Sequence, residues 1–116
     1  VRRLPLYADA LLRIWPTTDP PGLRLKGQVD MTNQTALLGH LLALDGESPH
    51  ITVDLSEVTF FSFPALHALV TYAELLEPDR RLILHTRTSD VAQMLTACGW
   101  DRPEIPLTLL EEDRGE

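Results

Sequence analysis

Val53-Asp54-Leu55-Ser56-Glu57-Val58-Thr59-Phe60-Phe61-Ser62-Phe63-Pro64-Ala65-Leu66 carries the chain from strand to helix. Before it, Ile51, Val53 and Leu55 alternate as in a half-buried strand; after Pro64, the residues Leu66, Leu69, Val70, Ala73 and Leu76 recur at helical spacing. The connection must turn sharply, and the helix is expected over Phe63 to Leu76, with His67, Thr71 and Glu74 outward. Ser62 reads as its N-cap, and because Pro64 has no N–H the cap bond falls to the N–H of Ala65. Proline costs little in the first turn, where N–H groups lack helical partners. Those N–H groups and the positive end of the helix dipole suit an anion. Phe61 and Phe63 suit apolar docking instead, since the loop reverses between them and both cannot be buried easily. Phe60 is expected in the core by strand alternation.

Upstream, Leu11 to Trp15 reads as a first strand closed by Pro16, and Thr17 to Gly22 is a dense turn cluster. Leu23 to Val29 alternates as a second strand, antiparallel to the first. Thr32 or Asn33 then caps a helix whose apolar face is Ala36, Leu37, Leu38, Leu41 and Leu42. Asp45-Gly46-Glu47-Ser48-Pro49 turns the chain into the strand beginning at His50, and a β-α-β unit of this length implies a parallel pair with a right-handed crossover. Downstream, Arg81 to His85 reads as a strand. Ser89 and Asp90 open a third helix with Val91, Met94, Leu95 and Cys98 on one side and Gly99 past its end, and Leu107 to Leu110 is a short last strand or helix. The fold class is therefore α/β, a mixed sheet of four to five strands with an N-terminal antiparallel hairpin. Residues 1–10 form an extension, 11–110 the domain and 111–116 an acidic tail. Sites in such sheets lie beyond the C-terminal ends of parallel strands, here Asp30 to Asn33, Thr59 to Phe63 and Thr86 to Ser89.

Composition narrows the chemistry. With 116 residues, 44% apolar and 23% charged, the chain is one ordinary globular domain. Its 17 acidic and 10 basic residues give a formal charge of −7, which disfavours nucleic acid and anionic membranes and steers a basic partner inward. The single Cys98 fits a buried helical position and a reducing, cytoplasmic setting. No apolar run approaches the roughly 20 residues of a membrane span, and no leader-like segment opens the chain. The start at Val1 leaves open a processed chain or a module of a longer one. His40, His50, His67 and His85 show no metal-ligand spacing, and no phosphate-binding glycine motif is present, so no cofactor is expected. Ser62 occupies a strand-to-helix turn like a hydrolase nucleophile, but Phe61, Phe63 and Pro64 stand where that turn needs small residues, and catalysis is not expected.

The segments Leu25-Lys26-Gly27-Gln28-Val29-Asp30 and Val53 to Phe60, with Gly99-Trp100-Asp101 after the third helix, resemble the STAS domain of anti-sigma factor antagonists. The resemblance spans residues 11 to 110 and implies a mixed sheet with helices on one side and a role in protein binding. In partner-switching members the loop reads approximately Asp-Ser-Ser-Gly-Leu, and an anti-sigma factor with a kinase-like ATPase fold phosphorylates the first serine. Aligned on Leu66, Ser62 stands for the Asp, Phe63 for the phosphoacceptor, Pro64 for the second serine and Ala65 for the glycine. The acceptor has no counterpart, and Ser62, one residue early, is the candidate displaced acceptor. The resemblance thus implies docking on an anti-sigma factor or related regulator through Asp30, Met31, Thr32, Asn33, Phe61, Ser62, Phe63 and His67, without the serine switch. Alternatives are the C-terminal module of a longer sensor and the STAS subunit of a lipid or anion transport assembly. A homodimer is left open.

Overall fold

The burial pattern of the strands decides where the helices lie. In the computed structural model, which describes residues 4–44 and 48–111, the elements are β1 (Tyr7–Ala8), β2 (Leu12–Thr18), β3 (Pro21–Val29), α1 (Gln34–Leu42), β4 (His50–Phe61), α2 (Phe63–Glu74), β5 (Arg81–Thr86), α3 (Asp90–Cys98) and β6 (Leu107–Glu111). Leu12 and Ile14, Leu23 and Leu25, Ile51, Val53 and Leu55, and Leu82 and Leu84 are all buried, whereas the residues between them are partly or fully exposed. One sheet face is therefore the core. The strands follow in the order β1-β2-β3-β4-β5-β6, antiparallel as far as β3 and parallel from there on. Three right-handed crossovers advancing in one direction place α1, α2 and α3 on that same face. Leu37, Leu41, Leu66, Leu69, Val70, Val91 and Leu95 close the core from the helix side. Tyr72 ties two of the helices together, its buried hydroxyl donating to the Leu41 carbonyl at 3.3 Å. Burial pushes its phenol above the usual value.

The sheet has six strands rather than four to five. The sixth comes from the N-terminal stretch, where the Asp9 carboxylate accepts from the N–H groups of Leu11 and Leu12 at 2.7 Å and turns the chain back, so that Tyr7 and Ala8 pair with Ile14 and Arg13. β2 does not stop at Pro16 but runs to Thr18. Within it Pro16 stands opposite Leu23 of β3. The hairpin turn narrows to Asp19 and Pro20. The last element is a strand, parallel to β5. α2 ends at Glu74, two residues short of Leu76, which still packs against the core. Leu42 lies about 100° round the helix from Leu41 and is 61% exposed rather than on the apolar face. Cys98 is exposed, not buried; at that end Trp100 packs against the core instead. The turn at 45–47, Arg2, Arg3 and the tail beyond Glu111 lie outside the described residues.

The open face of the sheet carries one row across five strands: Trp15, Arg24, Asp54, His85 and Leu110. The Arg24 guanidinium stands 4.3 Å over the Trp15 ring and reaches Glu57 Oε1 at 2.6 Å. Arg13, Arg24, Lys26 and Arg81 lie on this face, and α1, α2 and α3 contain no lysine or arginine at all. These four cations and the helices thus occupy opposite sides of the sheet.

Asp54 gives that face a pH dependence. Its partial burial works against ionisation, but bonds from Ser56 and the nearby His85, with Nδ1 at 3.6 Å, outweigh this and hold the carboxyl below its ordinary 3.8. A folded pKa below the unfolded one adds stability that is present above pH 3.8 and lost as pH falls through the folded value. Asp54→Asn is therefore expected to reduce the acid loss of the urea midpoint between neutral pH and pH ~3. An identical acid profile for mutant and parent would refute this.

Candidate functional site

Three turns meet at the C-terminal ends of β3, β4 and β5. The first is built around Asn33, which is fully buried: its Oδ1 accepts from the Asp30 N–H and its Nδ2 donates to the Gln28 carbonyl, both at 3.0 Å. Asn33 occupies the N-cap position of α1 but makes no side-chain cap bond; it latches the end of β3 instead. Asp30 Oδ1 accepts from the Thr32 N–H and hydroxyl, which leaves Met31 at the tip, 72% exposed. Asn33→Ala would take this partner from the part-buried Asp30 N–H and Gln28 carbonyl and is expected to cost about 1–3 kcal/mol in urea unfolding. A loss under ~1 kcal/mol would show the latch to be dispensable.

The second turn is almost absent. β4 runs to Phe61, α2 starts at Phe63, and Ser62 alone joins them. Ser62 is extended (φ −77°, ψ 158°), its Oγ accepts from the Ala65 N–H at 3.2 Å, and its own N–H donates to the Val29 carbonyl at 3.0 Å. The cap bond is the one expected from the sequence, and the Val29 bond sets Phe61–Phe63 beside the Asp30–Asn33 turn. Phe61 is buried and belongs to the core, Phe63 is half exposed, and Phe60 is exposed rather than in the core. The alternation of Ile51, Val53 and Leu55, carried on by twos, reaches Phe61 and not Phe60, and the register keeps that parity. Arg24 pairs with Asp54 but Lys26 with Glu57, and Gly27 with Val58 but Gln28 with Phe60, so β4 carries an extra residue at two places. Each β-bulge inverts the alternation, and the second returns Phe61 to the inner face.

Of the candidate contact residues, Met31, Thr32, Phe63 and His67 are exposed, and Asp30 and Ser62 partly so. Asn33 and Phe61 lie inside and serve the scaffold. His67 stacks on Trp100 with ring centroids 5.1 Å apart and planes at 17°. Gly99 makes this possible: its left-handed φ of 71° ends α3 and lets the Trp100 N–H reach back to the Leu95 carbonyl at 2.8 Å.

The third turn opens a groove that the sequence did not reveal. A cavity of about 690 Å³ lies between the β4–α2 junction and α3, lined by Phe60, Phe63, Pro64, Gln93, Met94 and Ala97 among others. A smaller part of about 280 Å³ continues toward Thr86–Thr88. Met94 is visible in the sequence as an apolar helical residue, but only the lengths of β4 and β5 show that nothing fills the space before it. Among the described residues no group of three His, Cys, Asp or Glu could hold a metal ion, and no helix is long and apolar enough to cross a membrane.

Among solved structures, an anti-sigma factor antagonist from Mycobacterium paratuberculosis superposes with a TM-score of 0.60 at 24% identity, covering 75% of this chain and 74% of that one. At that identity the likeness speaks for the fold. A comparison with curated proteins gives no match. A family model described as Mlab, STAS domain, matches residues 16–111, from within β2 to the end of β6. On that match the chain belongs to the STAS domain family.

Proposed function

We propose that this domain is a regulatory protein-binding module of the anti-sigma factor antagonist type, which docks its partner through the β4–α2 junction without a serine switch. The observation that carries the reading is Phe63. It is the first helical residue of α2, half exposed, at the position that in the resembling loop holds the phosphoacceptor. An exposed aromatic side chain on a rigid element is a common anchor in protein interfaces. Met31 and the stacked His67 supply exposed neighbours on the adjoining turn and on the next turn of α2.

The partner is an anti-sigma factor or related regulator, one with a kinase-like ATPase fold included. The cation-free helical layer favours a basic contact surface and long-range steering. Nucleic acid and anionic membranes are disfavoured by the net charge of −7 and are not partners in this reading, and a cytoplasmic setting belongs to the same proposal through its anti-sigma factor partner.

Phenylalanine accepts no phosphoryl group, and the Ser62 hydroxyl is engaged as a cap. Incubation with such a kinase and ATP should leave the chain unphosphorylated by mass spectrometry. Phosphate on Ser62 would overturn the switchless reading, since about −2 of charge would arrive beside Phe63. A pull-down with the purified domain identifies the partner; retrieval of permease components would shift the reading to a transport assembly.

A further inference from the structure

β4 outruns its neighbour. Its last β5 partner is the Asp54–His85 pair, yet it continues through Leu55 to Phe61 with only β3 beside it. β5 meanwhile stays paired to β6 as far as Thr86 and then turns into α3. The strands part, and the two-part groove opens between them. Past Asp54 the ladder partner of β4 is β3 alone, and the Ser56 N–H is taken by the neighbouring Asp54 carboxylate. The groove wall is thus a strand edge of about 16 Å, the length of the Leu25–Val29 stretch beside it, opposite Val91, Met94 and Ala97 of α3.

We propose that this edge accepts an extended peptide segment of a partner protein as an added strand, about five residues long, with apolar side chains at alternate positions and lysine or arginine among the rest. Backbone groups supply the affinity, as in other cases of strand addition, and the alternate apolar side chains enter the space against α3. The cationic preference follows from charge: Asp90 lines both parts of the groove, α2 and α3 carry no lysine or arginine, and the chain as a whole is at −7. Arg87 lines only the smaller part, and the larger part has no lysine or arginine in its lining. A helix in the same groove would leave the β4 edge unpaired, so the extended form is the one that fits. Phe63 stands at the rim of the same groove, so the two contacts adjoin, but the peptide mode uses the β4 edge and does not depend on which regulator binds at Phe63.

The test is a selection of displayed random decapeptides against the full chain. Enriched sequences should alternate β-branched or aromatic with polar residues and carry lysine or arginine. In a synthetic copy, N-methylation at every second residue should weaken binding more than tenfold, and at the intervening residues much less, because only alternate N–H groups face the edge. Bound peptide should slow amide exchange within Ser56–Phe61, and Asp90→Lys should invert the charge preference. Apolar residues at i, i+3 and i+4, N-methyl effects without alternation, or no enrichment would each overturn the proposal. Loss of the peptide mode with a Phe63-dependent partner still bound would leave the docking reading standing, and the reverse result would overturn that reading alone.

Discussion

Phe63→Asp is expected to abolish the regulatory complex while leaving the domain folded. Across a panel of anti-sigma factors of the kinase-like ATPase type, the parent chain should give a calorimetric signal with one, and the variant at least a ~30-fold weaker Kd, the loss of a central aromatic anchor. Folding should survive for two reasons. Phe63 is half exposed, so little apolar burial is lost, and an aspartate in the first turn of α2 meets the positive end of the helix dipole. A melting temperature at or slightly above that of the parent is the control. Equal affinity of variant and parent would remove Phe63 from the interface.

The largest effect on stability is expected at Gly22. This residue pairs with Thr52 across the β3–β4 ladder at φ +156°, and a Cβ built on it falls 1.7 Å from the Thr52 carbonyl oxygen. That neighbour is backbone in the middle of the sheet and cannot rotate away. Gly22→Ala combines a steric overlap with a conformation that L residues rarely adopt, together on the order of 3–6 kcal/mol. Against a typical domain stability of about 5–15 kcal/mol this leaves little margin, and a fall in Tm of at least about 10 °C should be seen by calorimetry. Gly39→Ala is the matched control. It lies within α1 with nothing within 4 Å of an added Cβ, so the change should raise stability by about 0.5–1 kcal/mol. If Gly22→Ala melts like the parent, the close approach of β3 to β4 is not as described.

Hydrophobic period and turn residues made the order of elements readable. The Leu66 to Ala73 stripe, the Ser62 cap on Ala65 and the Gly99 terminus all depend on neighbours within a few positions. Phe60 belongs outside and Phe61 inside by simple continuation, because the alternation of Ile51, Val53 and Leu55 carried on by twos reaches Phe61, and the two bulges invert it twice and leave that parity unchanged; the expectation of a core Phe60 followed its apolar character and not its true place in that alternation. Tyr7 and Ala8 form a strand only because Asp9 turns them onto β2, a contact made by side-chain chemistry rather than by pattern. The groove was hidden for a related reason. It is the difference in length between two strands that are 20 residues apart in the chain, and the residues that line it each look ordinary where they stand.

Strand order in this sheet is the same as chain order, β1 through β6. Each strand therefore finds its partner in the segment made just before it, and no edge has to wait for a distant piece of sequence to close it. For a chain emerging from the ribosome, the hairpin of β2 and β3 is a finished template when β4 appears, and each later β-α unit adds to a surface already in place. Mixed sheets whose strands must insert between earlier ones lack this property and pay loop-closure entropy first. Growth here is by accretion from the N-terminal side, and truncation from the C-terminus should remove strands one at a time while leaving the pairing before them intact.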